Sequence, residues 1–269
     1  NYERHNLNII TASSCHVVLS DIISIFKYRE LGIQAYNWFL ESDGSFYKNL
    51  HLEKKIDVLF FGKVNKERKE FLIFLENNGI KIKIVGNNSD THVSDEKLVE
   101  LINKSKIVIN FTKTTWGKID NFPERQIFKN QYQLKGRIIQ AGLGGTACVS
   151  EYAPHNELLY EKDELLQFNS KNDCLSILNL LLKDNDKLRS YTEKFSSKTV
   201  NFYEDKKMFK NIFNYIESIT SDDLDIEKYN LNIIPYWYKR ICAKQVLLRD
   251  LKIPKIFSSF YNLKEVIKI

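Results

Sequence analysis

The sequence lacks the cysteine and histidine spacings that mark metal sites and disulfide frameworks. Its four cysteines are far apart, none forms a C-x-x-C pair, and its five histidines show no ligand spacing. These absences exclude the common zinc motifs and a disulfide scaffold. We therefore expect a cytoplasmic protein without a bound metal or cofactor.

Several other features are missing as well. The chain has no signal peptide, no apolar run long enough to span a bilayer, no internal repeat and no low-complexity block. No G-x-G-x-x-G follows its first buried strand, which disfavours a dehydrogenase. It begins at Asn1 and contains one methionine, Met208. We therefore expect a piece of a longer protein, or a chain whose first residues are absent.

The composition suits a folded protein with an anionic ligand. Of 269 residues, 43% are hydrophobic and 13% aromatic, enough for the core of one large domain or two smaller ones. The net charge of +6, from 40 basic and 34 acidic residues, is far below that of a nucleic-acid-binding domain. We expect no nucleic-acid partner.

Strand-like and helix-like segments alternate along the chain. This order predicts an α/β fold, a Rossmann-like parallel sheet with helices on both faces. The predicted strands span 16–20, 34–40, 56–61, 80–85, 106–111, 147–150 and 165–168. The predicted helices span 21–31, 67–77, a segment from 94, a segment from 135, 173–182, 185–198 and 205–220.

The segment 135–151 indicates a phosphate site. Lys135-Gly136-Arg137 opens an apolar helix, where free N–H groups and the positive dipole end favour anions. The planar guanidinium of Arg137 suits a diphosphate, and Gln140, one turn on, suits a sugar hydroxyl. The alternative is an ordinary helix start with solvated charges. We expect Arg137→Ala to weaken diphosphate binding by about 1.5–3 kcal/mol with little loss of fold stability.

Four segments in register resemble one enzyme family. Residues 57–62 with Arg68, 104–111, 135–151 and 165–170 are similar to the opening strand, the SKI-x-LNF strand, the K-x-R helix and the closing strand of that family. From about Ile56 to Phe213, the chain resembles the donor-binding half of the GT-B glycosyltransferases. The resemblance is strongest to the CgeB-like, group-1-related family.

The resemblance implies roles for particular residues. Lys135 and Arg137 are the implied catalytic residues, because they neutralise the leaving diphosphate in place of a metal cation. At Gln140 the family usually has a glutamate that accepts hydrogen bonds from the ribose, whereas the amide offers an uncharged acceptor. The upstream acidic position of the retaining group falls near Tyr132. The implied donor-binding residues are Gly62, Lys63, Arg68, Gly86, Asn87, Gln140 and Glu151.

Three regions are predicted. Residues 1–50 are the end of a partial N-terminal, acceptor-side α/β domain and a linker, and residues 51–220 form the nucleotide-sugar-binding domain. Residues 221–269 form a basic, aromatic helical tail. We favour a tail that packs back on the protein over one that contacts a membrane surface or another protein.

The favoured function is metal-independent transfer of a sugar, in the hexosyltransferase class, from a nucleoside-diphosphate sugar to an unknown glycan, protein or lipid acceptor. The alternative is a non-catalytic nucleotide-sugar-binding or assembly domain of a larger protein, favoured by Gln140 and by the missing first half. The candidate general bases are Asp43, Glu151 and His155. For each of them a turn or capping role is the alternative.

Overall fold

The structure is a computed structural model of the chain. No helix in the part that it describes has the length and apolarity needed to cross a bilayer. The described residues are 17–19, 25, 28–29, 35–37, 42–86, 91–113, 132, 134–204 and 207–218.

The chain divides into two compact units. The first comprises Asn1–Phe39 and Ile212–Ile269, and the second comprises Leu40–Asn211. In the first unit, strands β1 (Val17–Leu19) and β2 (Ala35–Asn37) pair in parallel. There the ring of Tyr36 stacks on that of Tyr215, with centroids 4.5 Å apart. The predicted boundaries at 50 and 220 stay predictions.

The second unit contains a five-stranded sheet in which every described pair of neighbouring strands is parallel. Its order is β4-β3-β5-β6-β7, so the chain crosses over β3 between β4 and β5. The buried apolar runs explain these strands, because a sheet covered on both faces needs apolar side chains on both. The strands are β3 (Ile56–Phe61), β4 (Ile82–Val85), β5 (Ser105–Asn110), β6 (Ala147–Glu151) and β7 (Leu166–Phe168).

Helices flank the sheet. Crossovers between parallel strands are right-handed as a rule, and the chain reverses direction across the sheet at β4, so this rule predicts α1 and α2 on opposite faces. The helices of the second unit are α1 (Lys66–Asn77), α2 (Asp95–Asn103), α3 (Gly136–Leu143), α4 (Lys171–Lys183) and α5 (Asn185–Glu204). A sixth helix, α6 (Lys207–Ser218), contains residues of both units. The prediction of a Rossmann-like parallel sheet with helices on both faces is confirmed.

The core of the second unit is packed on both sides of the sheet. On one side, Phe71 of α1 meets the rings of Phe111 and Phe168, with centroids 5.0 and 5.4 Å away. On the other, α3 contacts α5 so closely that a Cβ on Gly142 would lie 2.3 Å from Oγ1 of Thr199. The close approach explains the glycine next to the last residue of α3.

The sequence analysis missed one short helix, which has no amphipathic periodicity. Residues Pro154–Leu158 form a 3-10 helix that the sequence analysis does not predict. Other predictions fall outside the described residues: Asn87, most of the polar and aromatic connection expected over 112–133, most of the helix 21–31 and the tail 221–269.

Candidate active site

The candidate site lies at the carboxyl edge of the sheet, where β3, β5 and β6 end. These strands are adjacent and parallel, so their last residues Phe61, Asn110 and Glu151 share one edge. Ligands of open α/β sheets bind at this edge. The structure brings most of the sequence-predicted site residues there.

Arg137 reaches this edge from the first turn of α3. Its Nε donates a short hydrogen bond to the backbone oxygen of Phe61, and its Nη1 donates to Oδ1 of Asn110 at 3.2 Å. The guanidinium carbon lies 5.5 Å from the ring centroid of Phe60. Arg137 therefore joins α3 to the ends of β3 and β5. This corrects the expectation that its truncation costs little stability, because it would remove these contacts.

Two glycines form the turns beside that guanidinium. Gly62 has φ +117°, and a Cβ built on it would lie 2.2 Å from Nη2 of Arg137. Gly86, after β4, has φ +101°, and its Cβ would lie 3.0 Å from the backbone nitrogen of Gly62. Positive φ and close approach each favour glycine at these positions. Both predicted turn residues thus have a structural reason to be glycine.

Arg68, in the first turn of α1, is buried and bonded to backbone. Its Nη1 donates to the oxygen of Lys63 at 2.8 Å, and its Nη2 donates to the oxygen of Lys113 at 3.2 Å. Burial lowers the pKa of Arg68, and the charge of Glu151 acts in the opposite direction. Arg68 therefore ties the turn after β3 to the segment after β5.

Glu151 holds the same segment from the other side. One carboxylate oxygen, Oε2, accepts hydrogen bonds from the backbone nitrogens of Thr112 at 2.9 Å and Lys113 at 2.8 Å. The backbone of Lys113 thus donates to Glu151 and accepts from Arg68. We call Arg68, Lys113 and Glu151 the Lys113 clamp.

The sequence analysis missed Asn110 and Lys113. Asn110 is fully buried at the end of β5, where its Oδ1 accepts from Arg137 and its Nδ2 donates to Oγ of Ser150 at 2.9 Å. An asparagine at the end of an apolar run was the available signal, because a buried amide needs partners. Lys113 pairs with Tyr132 in an isolated antiparallel bridge, which joins the described ends of the long connection after β5.

The remaining predicted residues of α3 lie on one helix face. Gly136, Arg137 and Gln140 are half-buried while their helix neighbours are buried, as the i, i+3, i+4 spacing requires. Gln140 therefore lies one turn beyond Arg137 on the same face. Lys135 is the N-cap residue of α3 and makes no side-chain capping bond. Lys63 is exposed directly after Gly62.

The three candidate general bases lie in different structural settings. Oδ1 of Asp43 accepts from the backbone nitrogen and hydroxyl of Ser45 at 2.8 and 2.7 Å, as the turn interpretation predicts. These hydrogen bonds lower the pKa of Asp43. His155 lies in the 3-10 helix Pro154–Leu158. Glu151 belongs to the Lys113 clamp.

A family comparison decides the class of protein. The sequence model described as "Glycosyl transferase-like" matches residues 66–213, which is more than half of the chain. The chain belongs to this group-1-like glycosyltransferase family. The matched segment begins at α1 and includes Arg68, Arg137 and Glu151. No curated protein sequence matches the chain significantly.

Solved structures with a similar fold are GT-B glycosyltransferases. HepE of Anabaena, solved with UDP and glucose, is 12% identical with a TM-score of 0.57, over 80% of this chain and 67% of HepE. Sucrose-phosphate synthase of Thermosynechococcus elongatus is 10% identical with a TM-score of 0.52, over 80% of this chain and 63% of the synthase.

A third similar structure is that of a TarM variant of S. aureus with fondaparinux, alpha-GlcNAc-glycerol and UDP. It is 12% identical with a TM-score of 0.53, over 77% of this chain and 45% of TarM. At these identities the likeness shows the fold. The chain spans between 45% and 67% of the length of these three proteins.

Proposed function

We propose that this glycosyltransferase-family chain binds a nucleoside-diphosphate sugar and transfers its hexosyl group without a metal ion. The observation that carries the proposal is the meeting of Arg137, the Gly62 turn and the start of α3 at one edge of the sheet. Membership of the CgeB-like subfamily, a cytoplasmic location, peripheral contact of the tail with a membrane and a role in glycan synthesis belong to the same proposal.

The charge at this edge supports a diphosphate ligand. Lys63, Lys113 and Lys135 all lie in segments that meet there, as does Arg137. As the bond to the sugar breaks, negative charge grows on the leaving diphosphate. Fixed cations stabilise that charge in the transition state more than in the ground state. In this mechanism Arg137 and Lys135 do the work of a metal cation.

The nucleoside has a place in the same scheme. Gln140 lies on the Arg137 face of α3, one turn further along, where its amide oxygen accepts from a ribose hydroxyl. The Gly86 turn, which packs on Gly62, lies beside the base in this scheme. UDP is the first nucleotide to test, because the solved structures of HepE and TarM contain UDP.

The Lys113 clamp has a positioning role in this scheme. Arg68 donates a hydrogen bond to the backbone oxygen of Lys113, and Glu151 accepts one from its backbone nitrogen. Both side chains therefore act through the segment that contains Lys113. The clamp fixes the point at which the chain leaves β5 and brings the Lys113 side chain to the phosphates. We therefore propose Arg68 and Glu151 as positioning residues for donor binding.

The test measures thermal unfolding of the whole chain in the presence of UDP, GDP, CDP, ADP or TDP. A nucleotide at about 100 times its Kd raises the free energy of unfolding by about 2.7 kcal/mol. We expect one nucleotide to stabilise the chain selectively, and Arg137→Ala to abolish the shift. Lys69→Ala, which removes an exposed charge on α1, is the control and keeps the shift.

Transfer itself is tested with the matching nucleotide sugar. Release of nucleoside diphosphate in the presence of EDTA supports metal-independent chemistry. Binding of the nucleotide with strict dependence of turnover on Mg²⁺ would contradict the metal-independent mechanism and leave the donor site intact.

A second function is favoured by one residue. Gln140 stands where the resembled family usually has glutamate, so the ribose loses a charged acceptor. A chain that binds the nucleotide but never cleaves the donor, either alone or with its native partner domain, would be a non-catalytic nucleotide-sugar-binding domain. Gln140→Glu distinguishes the two, since turnover gained in that variant identifies Gln140 as the cause of inactivity.

A further inference from the structure

The described part of the chain contains a cavity at the amino end of the sheet. It has a volume of about 390 Å³ and is open to solvent. Lys54 precedes β3, Lys106 is the second residue of β5 and Gly145 precedes β6, so the cavity faces away from the candidate active site. Residues of α5 form its other wall. The nucleotide proposal uses none of these side chains.

Lys54 supplies an uncompensated positive charge to this cavity. Its Nζ donates to the backbone oxygen of Gly145 at 2.9 Å and to Oγ1 of Thr146 at 2.7 Å, which are neutral acceptors. No carboxylate of the described chain forms an ion pair with Lys54, whose side chain is half-buried. Burial lowers its pKa to about 8, because desolvation disfavours the ammonium form. An anion in the cavity would relieve that cost.

The other charged side chains of the cavity are paired. Lys106 forms an ion pair with Asp57 at 2.7 Å, and Arg189 pairs with Glu193 at 3.3 Å on exposed α5. Each of these ion pairs has no net charge, so the unpaired Lys54 gives the cavity a net charge of +1. Both paired cations retain further N–H donors, because a lysine has three and an arginine five.

The lining of the cavity includes an exposed amide and a buried hydroxyl. Asn49 is the exposed one, and its Oδ1 accepts from the backbone nitrogen of His51 at 2.9 Å. Oγ of Ser196 is buried without a hydrogen bond. The amide of Asn49 is held against Gly145, where a Cβ would lie 2.4 Å from Nδ2. A buried polar group normally has a partner, so the unpaired Ser196 hydroxyl favours a ligand in the cavity.

We propose that this cavity binds a small phosphate-bearing anion, with the Lys54 ammonium as its charge partner and Asn49 as a hydrogen-bond donor. Lys106 and Arg189 complete the donors on two further sides. A phosphate group matches this set, since its oxygens accept several hydrogen bonds from different directions. The cavity leaves room for a hydroxylated group attached to the phosphate.

The experiment is a titration of the whole chain with inorganic phosphate at low ionic strength, in the presence of saturating UDP. We expect Lys54→Met to weaken phosphate binding at least about tenfold, which is about 1.4 kcal/mol. Lys55→Met is the matched control, because Lys55 is exposed and paired with Glu53. Its affinity for phosphate should equal that of the wild-type chain. Equal weakening in both variants, or no binding to the wild-type chain, would overturn the proposal.

A second readout needs no variant. Lys54 in the wild-type chain is labelled with an acylating reagent near pH 8 and quantified by mass spectrometry. Phosphate should protect Lys54 and leave Lys55 labelled as before. Labelling of Lys54 that phosphate does not change would refute the site, even if Lys54→Met failed to fold. Loss of the UDP effect alone would count against the nucleotide proposal and leave this one standing.

Discussion

Gly62→Ala is the sharpest single perturbation of the candidate active site. The added methyl group would lie 2.2 Å from Nη2 and 3.0 Å from the guanidinium carbon of Arg137, well inside contact distance. Arg137 must therefore leave its place at the carboxyl edge. Its hydrogen bonds to Phe61 and Asn110 break when it does.

The magnitude has two parts. An alanine at φ +117° costs about 1–2 kcal/mol of backbone strain. Displacement of the guanidinium removes hydrogen bonds to a charged group, each of which contributes about 1.5–3 kcal/mol. Because water replaces part of the lost hydrogen bonding once the guanidinium is displaced, we count the loss of one bond and not of both. Gly62→Ala should therefore lower the free energy of unfolding by about 2.5–5 kcal/mol.

The chain provides a control for the strain. Gly79, which follows the C-cap residue of α1, has φ +87°, and a Cβ on it would meet no atom within 4 Å. Gly79→Ala should cost about 1–2 kcal/mol and leave nucleotide affinity unchanged. Urea unfolding midpoints measure both costs, and calorimetry measures UDP binding. If Gly62→Ala is no more destabilising than Gly79→Ala and binds UDP equally well, the placement of Arg137 against Gly62 is wrong.

Three further predictions concern charged side chains. Arg137→Lys should retain part of the nucleotide affinity that Arg137→Ala loses, because an ammonium keeps the charge without the fork; equal affinities in a calorimetric titration would contradict a phosphate contact. Glu151→Ala should destabilise the chain by about 1–3 kcal/mol, because two backbone N–H groups lose their acceptor, and Glu151→Gln should cost less; urea unfolding that ranks them in reverse would argue against the Lys113 clamp. The third prediction concerns pH. The pKa of Lys54 is about 8 in the folded chain, below its ordinary value of 10.5, which applies to the unfolded chain. Between these two pH values the unfolded chain binds more protons than the folded one, so the free energy of unfolding should rise with pH across that window. Lys54→Met should abolish that rise, and an unchanged profile would show that Lys54 is not desolvated.

Local patterns were sufficient for the regular elements. The apolar run 56–61 followed by Gly62 predicts β3, and the helix predicted from residue 94 is confirmed as α2. The hydroxyl of Ser94 caps that helix, because it accepts from the backbone nitrogen of Lys97. Both features are encoded within a few residues. The 3-10 helix Pro154–Leu158 was missed, since five residues are too few for a helical period to be visible.

The sequence by itself determined the alternating elements, the glycine turns and the basic start of α3, because each depends on neighbours along the chain. It also predicted Arg68, Arg137 and Glu151 as candidate site residues. Only the tertiary structure decided what these side chains contact. Arg137 bonds to a strand end 76 residues away and Glu151 to backbone 38 residues away. Such partners are fixed by the order and register of the parallel strands, and these follow from the packing of the whole sheet rather than from any local pattern.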